Sequence, residues 1–175
     1  LELYQKAVRA EPNNLQIRRG LAQATERLGR QREAATLWEQ LYFAAKGPTN
    51  RALRIEARQR LATLVAKESR LQSVYYSLQR RFMAQATGPD AGKAPPSEEL
   101  LALGLLDADM SLLLGRTSEA EATLAVLKAR FPDGPARAEV LLSLVAVYRQ
   151  QRKLEDAIAA LKEAAALLPD RRREL

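Results

Sequence analysis

Apolar residues recur along the chain at intervals of three and four, the spacing that places them on one face of an α-helix. Ile17, Leu21, Ala24 and Leu28 form one such stripe, whereas the two-residue alternation of a half-buried strand is absent. Pro and Gly divide the pattern into segments because neither suits a helix interior. The pattern therefore predicts an all-α fold of roughly nine helices. The predicted ranges are 1–10, 15–28, 31–45, 51–67, 69–86, 98–114, 117–131, 135–150 and 154–168.

One phrase occurs nearly twice in this pattern. The segment GRQREAATLWEQL begins at Gly29, GRTSEAEATLAVL begins at Gly115, and a weaker copy without the Gly, RKLEDAIAALKEA, follows later. Each copy contains a small residue followed four positions later by a bulkier one. These pairs are Ala34 with Trp38, Ala120 with Leu124, and Ala157 with Leu161. We interpret Gly-Arg as a turn, the Ala as a close contact between helices, and the bulky residue as core that fills the gap between successive hairpins.

In these features the chain resembles the tetratricopeptide repeat (TPR) family, whose helix–turn–helix unit has about 34 residues. Leu144, Val145 and Tyr148 match the signature of the family's first helix. Leu21, Ala22 and Thr25 match it more weakly, and Leu61, Ala62 and Val65 fix a loose register in the second unit. A terminal Pro closes three units, as Pro12, Pro132 and Pro169. Two departures are Pro48, displaced from its expected place, and Asp107, where the signature has Leu.

The resemblance implies a single TPR-like solenoid over residues 1–175, a right-handed α-α superhelix of about four hairpins plus a leading half-repeat. The predicted parts are a half-repeat 1–14, repeats 15–48, 97–134 and 135–170, a degenerate repeat 49–88 and a loop 89–96. The chain begins inside the second helix of a unit and ends just after a complete one. We therefore expect an excerpt of a longer protein, in which Arg171-Arg172-Arg173 is either a polar cap or the start of further sequence.

The resemblance also implies that the first helix of each hairpin lines a concave groove that binds a peptide, a helix or a partner domain. The predicted groove residues are Gln16, Arg19, Gln23, Glu26, Gln59, Thr63, Leu105, Asp109, Leu112, Leu142, Ala146 and Arg149. For Leu105, Leu112 and Leu142, a place in the core is an equal alternative.

Composition removes several kinds of chemistry. The chain has no Cys and no His, so thiol nucleophiles, disulfides, Cys/His zinc sites and an imidazole base are excluded. Its glycines are not spaced as phosphate-binding loops require. Asp107 and Asp109 lie two residues apart and would point to different faces of a helix, so we interpret them as solvated rather than as a metal site. We predict no enzyme activity, no cofactor and no metal.

Charge differs between the two halves. Residues 1–86 contain 16 Lys and Arg against 7 Glu, a net of +9, whereas residues 87–175 contain 12 against 14 Asp and Glu, a net of −2. The basic side chains Arg51, Arg54 and Arg58 recur at helical spacing, and two more follow on the next helix. The predicted basic face is Arg51, Arg54, Arg58, Arg80 and Arg81. Arg forks suit carboxylates and phosphates, but the abundance of Arg and Ala fits a GC-rich genome equally well.

These observations predict a non-catalytic protein–protein interaction scaffold, biased toward an acidic partner at its N-terminal half. A purely structural spacer within a larger multi-repeat assembly, or the substrate-recruiting part of a fused enzyme, stays open as an alternative. Nucleic acid is the weaker partner class because exposed aromatics do not accompany the basic residues. The longest apolar run, residues 100–106, is too short for a membrane helix, which needs about 20 residues. The sequence assigns neither compartment nor oligomeric state.

Overall fold

A computed structural model of the chain describes residues 1–67, 71–88 and 95–168. Within these ranges the chain forms nine α-helices and one short 3₁₀ turn, with no strand, which confirms the all-α prediction. The helices are α1 (Glu2–Ala10), α2 (Leu15–Arg27), α3 (Gln31–Ala44), α4 (Arg51–Ala66), α5 (Leu71–Ala86), α6 (Glu98–Leu113), α7 (Thr117–Arg130), α8 (Gly134–Gln150) and α9 (Leu154–Ala166). Most of the predicted loop 89–96, together with Ser69, Pro169 and Arg171–Arg173, lies outside the described residues.

The chain divides into two compact units, Leu1–Leu71 and Gln72–Leu175. In the first unit α2 packs against α1 and α3, and α3 packs against α4. In the second unit α7 packs against α6 and α8, and α8 packs against α9. The boundary falls inside the predicted degenerate repeat 49–88, so α4 belongs to one unit and nearly all of α5 to the other.

Three hairpin turns share one hydrogen-bond pattern, the Schellman motif, in which a left-handed residue ends the helix. At the first turn the N–H of Gly29 donates to the carbonyl of Glu26 (3.0 Å), and Arg30 donates to Thr25 (3.3 Å). Gly29 has φ 72° and needs the freedom of glycine for this conformation. The other two turns repeat the pattern at the same positions. Their bonds are Gly115 to Leu112, Arg116 to Ser111, Arg152 to Arg149, and Lys153 to Tyr148.

The third turn achieves this geometry without glycine. Arg152 takes φ 61° and is the one non-glycine residue with positive φ in the described part of the chain. An L-residue in this conformation suffers a clash between its Cβ and a carbonyl oxygen. The turn thus follows the repeat pattern at a cost in backbone strain.

Side-chain caps begin two helices where the sequence places good capping residues. The side chain of Asn14 accepts from the N–H groups of Gln16 and Ile17, and Ser97 accepts from Leu100 (3.0 Å). Such bonds satisfy amide groups that have no partner within the helix.

The core of the first unit contains the small–bulky pair of its hairpin. Ala34 and Trp38 are completely buried on α3, and Leu21 and Ala22 are buried on α2. The small Ala allows close helix approach, and the buried indole belongs to α3, which packs against both α2 and α4.

The core of the second unit is built around α6, which is buried along almost its whole length from Leu100 to Met110. A helix that is apolar on all sides is one that its neighbours surround. At Gly104 an added Cβ would lie 2.7 Å from side-chain atoms of both Leu127 of α7 and Phe82 of α5, so these two side chains pack directly against the backbone of α6. The pair Ala120 and Leu124 of α7 is completely buried here, as predicted.

Candidate functional site

Polar side chains link the first helix of one hairpin to the next first helix in the first unit. Arg19 of α2 forms an ion pair with Glu56 of α4 (2.8 Å), and Gln23 donates to the same carboxylate (3.1 Å). One turn further, Arg60 of α4 pairs with Glu26 of α2 (3.3 Å). We call Arg19, Gln23, Glu26, Glu56 and Arg60 the polar ladder.

Helical spacing and the separation of the two helices together produce the ladder. Arg19, Gln23 and Glu26 are spaced by four and three residues and therefore share one face of α2. Glu26 and Arg60 are 34 residues apart in sequence, on α2 and α4, and these two helices place them side by side. The ladder remains accessible, since the side chains of Arg19 and Arg60 are 41% and 52% exposed.

Trp38 connects the ladder to the core. Its indole N–H donates to Glu26 (3.0 Å), whose other oxygen accepts from Arg60. The ring itself is completely buried, which agrees with its predicted packing role. A charge-assisted bond from a buried ring holds the Glu26 carboxylate in place on an otherwise accessible surface.

The other predicted groove residues of the first unit are exposed. Gln16 lies on α2, and Gln59 and Thr63 lie on α4. The Thr63 hydroxyl donates to the carbonyl of Gln59 (2.9 Å), within its own helix. Gln16 on α2, and Gln59 and Thr63 on α4, extend the polar surface beside the ladder along these two helices.

In the second unit the predicted groove residues differ from one another in exposure. Leu105 is buried because α6 is surrounded by its neighbours, so of the two alternatives for this side chain the core is confirmed and the groove position is wrong. Asp109 and Leu112 are half-buried on the same helix. Leu142, Ala146 and Arg149 are exposed on α8, and Leu142 is 39% accessible. These positions thus change from core on α6 to open surface on α8.

The predicted basic face also needs correction. Arg54 is buried, with 9% of its surface exposed, and Arg51 and Arg58 are half-buried, so α4 does not present three open guanidinium groups. All three take part in interactions of their own. Helical spacing located them on one face, but packing of α4 against its neighbours covers part of that face. Arg80 and Arg81 are exposed on α5, in the other unit, where Arg81 lies 3.7 Å from Glu99.

Asp107 is buried, and the prediction that it is solvated is wrong. It accepts a hydrogen bond from Thr123 (2.8 Å), while its second carboxylate oxygen and the Ser111 hydroxyl are buried without a partner. Burial raises the pKa of Asp107 from 3.8 to about 6; the Thr123 bond lowers it and the charge of Glu119 raises it. An ionised carboxylate at this buried position therefore carries a desolvation cost.

A second polar cluster surrounds the start of α7. The Tyr75 hydroxyl donates to Glu119, and Arg116 stacks over the rings of Tyr75 and Tyr76 at 5.0 and 5.6 Å. Desolvation, with the hydrogen bond to Glu119, raises the pKa of Tyr75 to about 12, so it stays protonated at neutral pH. These contacts fasten α5 to the start of α7.

The described residues contain no group of three or more Asp or Glu that could hold a metal ion. None of their helices has the length and apolar character that crossing a membrane requires.

Comparison with known proteins identifies no relative: no family model, curated protein or solved structure matches the chain. The structure itself defines the class, an all-α protein with a helical-repeat-like fold.

Glu56 and Arg60 were not among the predicted site residues, although they lie on the same helix as the predicted Gln59 and Thr63. A signal existed in the sequence. A charged residue on one first helix and an opposite charge one repeat length later, as in Glu26 and Arg60, would have located the pairing once the repeat was known.

Proposed function

We propose that this chain is a non-catalytic protein-interaction module of the TPR kind, and that a partner protein binds along the polar ladder. The observation that carries the proposal is the half-exposed ladder itself. Its ion pairs lie at 2.8 and 3.3 Å, and the Glu26–Arg60 pair is anchored to the core through Trp38. Side chains already held in one geometry lose little rotamer freedom on binding, which favours recognition.

The charge of the first unit favours an acidic partner. Residues 1–71 contain 14 Lys and Arg against 7 Glu, a net of +7, while the ladder charges largely neutralise one another. The excess therefore lies elsewhere on the unit, including the exposed Arg27 and Arg32. Such a field attracts an acidic segment, and the ladder provides the directional contacts.

The test uses a synthetic Glu-rich peptide as the probe, with affinity measured by titration calorimetry at low salt. We expect the double variant Arg19→Gln with Arg60→Gln to lose roughly tenfold in affinity, about 1.4 kcal/mol. The matched control, Arg27→Gln with Arg32→Gln, removes the same charge away from the ladder and should lose about twofold or less. Equal losses in both variants would show attraction by net charge alone, and no binding to the unmodified chain would remove the acidic-partner proposal.

The structural-spacer alternative also has an observation in its favour, since the ladder charges satisfy each other. In that case the ladder joins successive first helices and nothing binds there. Circular dichroism melts of the ladder variant, combined with a measurement of partner binding, distinguish the two. If the chain is a spacer, the ladder variant should melt at a lower temperature and should still bind any partner that the unmodified chain captures. If it is an interaction module, the ladder variant should lose a partner that the control variant still retains.

A further inference from the structure

Two buried oxygen atoms on α6 have hydrogen-bonding capacity that the protein does not use. They are Oδ1 of Asp107 and Oγ of Ser111, which make no hydrogen bond to any residue that the structure describes. Asp107 is 1% exposed, and Ser111 is completely buried. Because buried polar groups are nearly always hydrogen-bonded, two exceptions on one helix indicate a ligand that supplies the missing bonds.

Helical spacing places the two side chains at a separation that one water molecule can span. Asp107 and Ser111 are four residues apart, so they lie on one face of α6 with Cβ atoms about 5–6 Å apart. Two hydrogen bonds in series, each about 2.8 Å between oxygens, cover about the same length. The two side chains are not bonded to each other directly, so a bridging molecule would satisfy both.

The chemistry of the two groups selects a small, neutral molecule that donates and accepts hydrogen bonds. The ionised carboxylate of Asp107 only accepts, and its other oxygen already accepts from Thr123 of α7 (2.8 Å). The Ser111 hydroxyl can donate as well as accept. Glu119 adds a second negative charge near Asp107, which disfavours an anion. Dense packing of the core admits only the smallest ligand, and water meets all of these requirements.

We propose that the interior of the second unit contains a hydration site on α6, in which one water molecule donates to Oδ1 of Asp107 and accepts from Oγ of Ser111. Buried waters of this kind are part of the folded structure and make about two to four hydrogen bonds. The Thr123 bond holds the carboxylate, so the water extends a series of hydrogen bonds from Ser111 through Asp107 to α7. The site does not depend on the polar ladder or on the proposed function.

A high-resolution crystal structure of the unmodified protein tests the site directly. We expect an electron-density peak about 2.7–3.0 Å from both oxygens. Crystals grown in rubidium chloride distinguish water from a monovalent cation, because rubidium gives an anomalous signal and water does not. An anomalous peak at this position would overturn the proposal. A direct hydrogen bond between Asp107 and Ser111, with no peak between them, would overturn it as well.

Oxygen-17 magnetic relaxation dispersion tests the same site in solution, since it counts water molecules that stay bound longer than the protein takes to tumble. The double variant Asp107→Leu with Ser111→Ala removes both hydrogen-bonding groups and fills the space with an aliphatic side chain. Its dispersion amplitude should be lower by the contribution of about one water molecule. Asp107→Asn keeps an acceptor oxygen of nearly the same shape and should retain the full amplitude.

Ser143→Ala is the matched control, because it removes the hydroxyl of another buried serine of the second unit, on α8. Its amplitude should equal that of the unmodified protein. Equal amplitudes for the unmodified protein and the double variant would contradict the proposal, and so would an equal loss in the double variant and the control. Circular dichroism spectra check that each variant folds. The crystal structure requires no substitution and decides the question if the double variant does not fold.

Discussion

Arg152 is the position at which replacement by glycine should stabilise this protein. It occupies the left-handed place in a Schellman turn that Gly29 and Gly115 occupy in the other two hairpins, with φ 61° against 72° for both glycines. Elsewhere in a helical protein, substitution by glycine is destabilising because the unfolded chain gains freedom. Here that cost competes with relief of backbone strain.

The magnitude follows from these two opposing terms. An L-residue in the left-handed helical region costs about 1–2 kcal/mol. Introducing glycine costs about 0.5–1 kcal/mol in backbone entropy. Arg152 is exposed, so little packing is lost with its side chain. We therefore expect Arg152→Gly to raise the free energy of unfolding by about 0.5–1 kcal/mol.

Urea unfolding followed by circular dichroism measures this difference, provided that the denaturant slope is the same in both proteins. Gln150→Gly is the matched control, since it introduces glycine two residues earlier, in an exposed helical position. It should lower the free energy of unfolding by about 0.5–1 kcal/mol. The reciprocal change, Gly115→Arg, should also be destabilising. If Arg152→Gly lowered the stability as Gln150→Gly does, the strain argument would be wrong.

The remaining predictions concern buried groups. Asp107→Asn should stabilise the protein at pH 7.5 by up to about 3 kcal/mol, because the raised folded pKa of about 6 makes the ionised form unfavourable. The destabilising effect of ionised Asp107 is complete above pH 6 and disappears below its ordinary pKa of 3.8. The increase in the free energy of unfolding that Asp107→Asn produces should therefore vanish near pH 4. An increase that does not depend on pH would contradict burial as its cause. Trp38→Ala should cost about 3–5 kcal/mol in thermal melts, and an unchanged melting temperature would show that the indole is not core. Gly104→Ala should destabilise by about 1–2 kcal/mol, because overpacking outweighs its helix propensity. Gly20→Ala should be neutral or stabilising, since the added Cβ meets only the ring of the half-exposed Tyr4, and an equal loss at both glycines in urea unfolding would refute the packing explanation.

The helices and turns could be predicted from local pattern because their causes are local. Apolar spacing located the helices of the described ranges, and the turns predicted at Gly29 and Gly115 are observed as left-handed turns. The small–bulky pairs were confirmed where a following helix covers them, as at Trp38 and Leu124. Leu161 fits the same pattern but is half exposed, because burial depends on a neighbour that its own spacing cannot supply.

The candidate site was predictable only in part. Arg19, Gln23 and Glu26 were correctly placed on one face of α2, but their partners Glu56 and Arg60 lie on α4, beyond the whole of α3 in the sequence. Helical spacing predicts which residues share one face of a helix, but it does not predict which other helix packs against that face. For this reason Arg54 was expected to be accessible and is buried, and the choice between groove and core for Leu105 was decided only by the structure, which buries it.

By itself the sequence determined the all-α class, the helix boundaries to within a few residues and the turn geometry, since each depends on backbone preferences and on side chains a few positions apart. Only the tertiary structure decided the burial of Asp107, the pairing that forms the polar ladder, and the exposure of Leu161 on α9. Each of these depends on which surfaces meet across long sequence separations. A periodic pattern marks the side of a helix that can be covered, and contact with another helix determines whether it is.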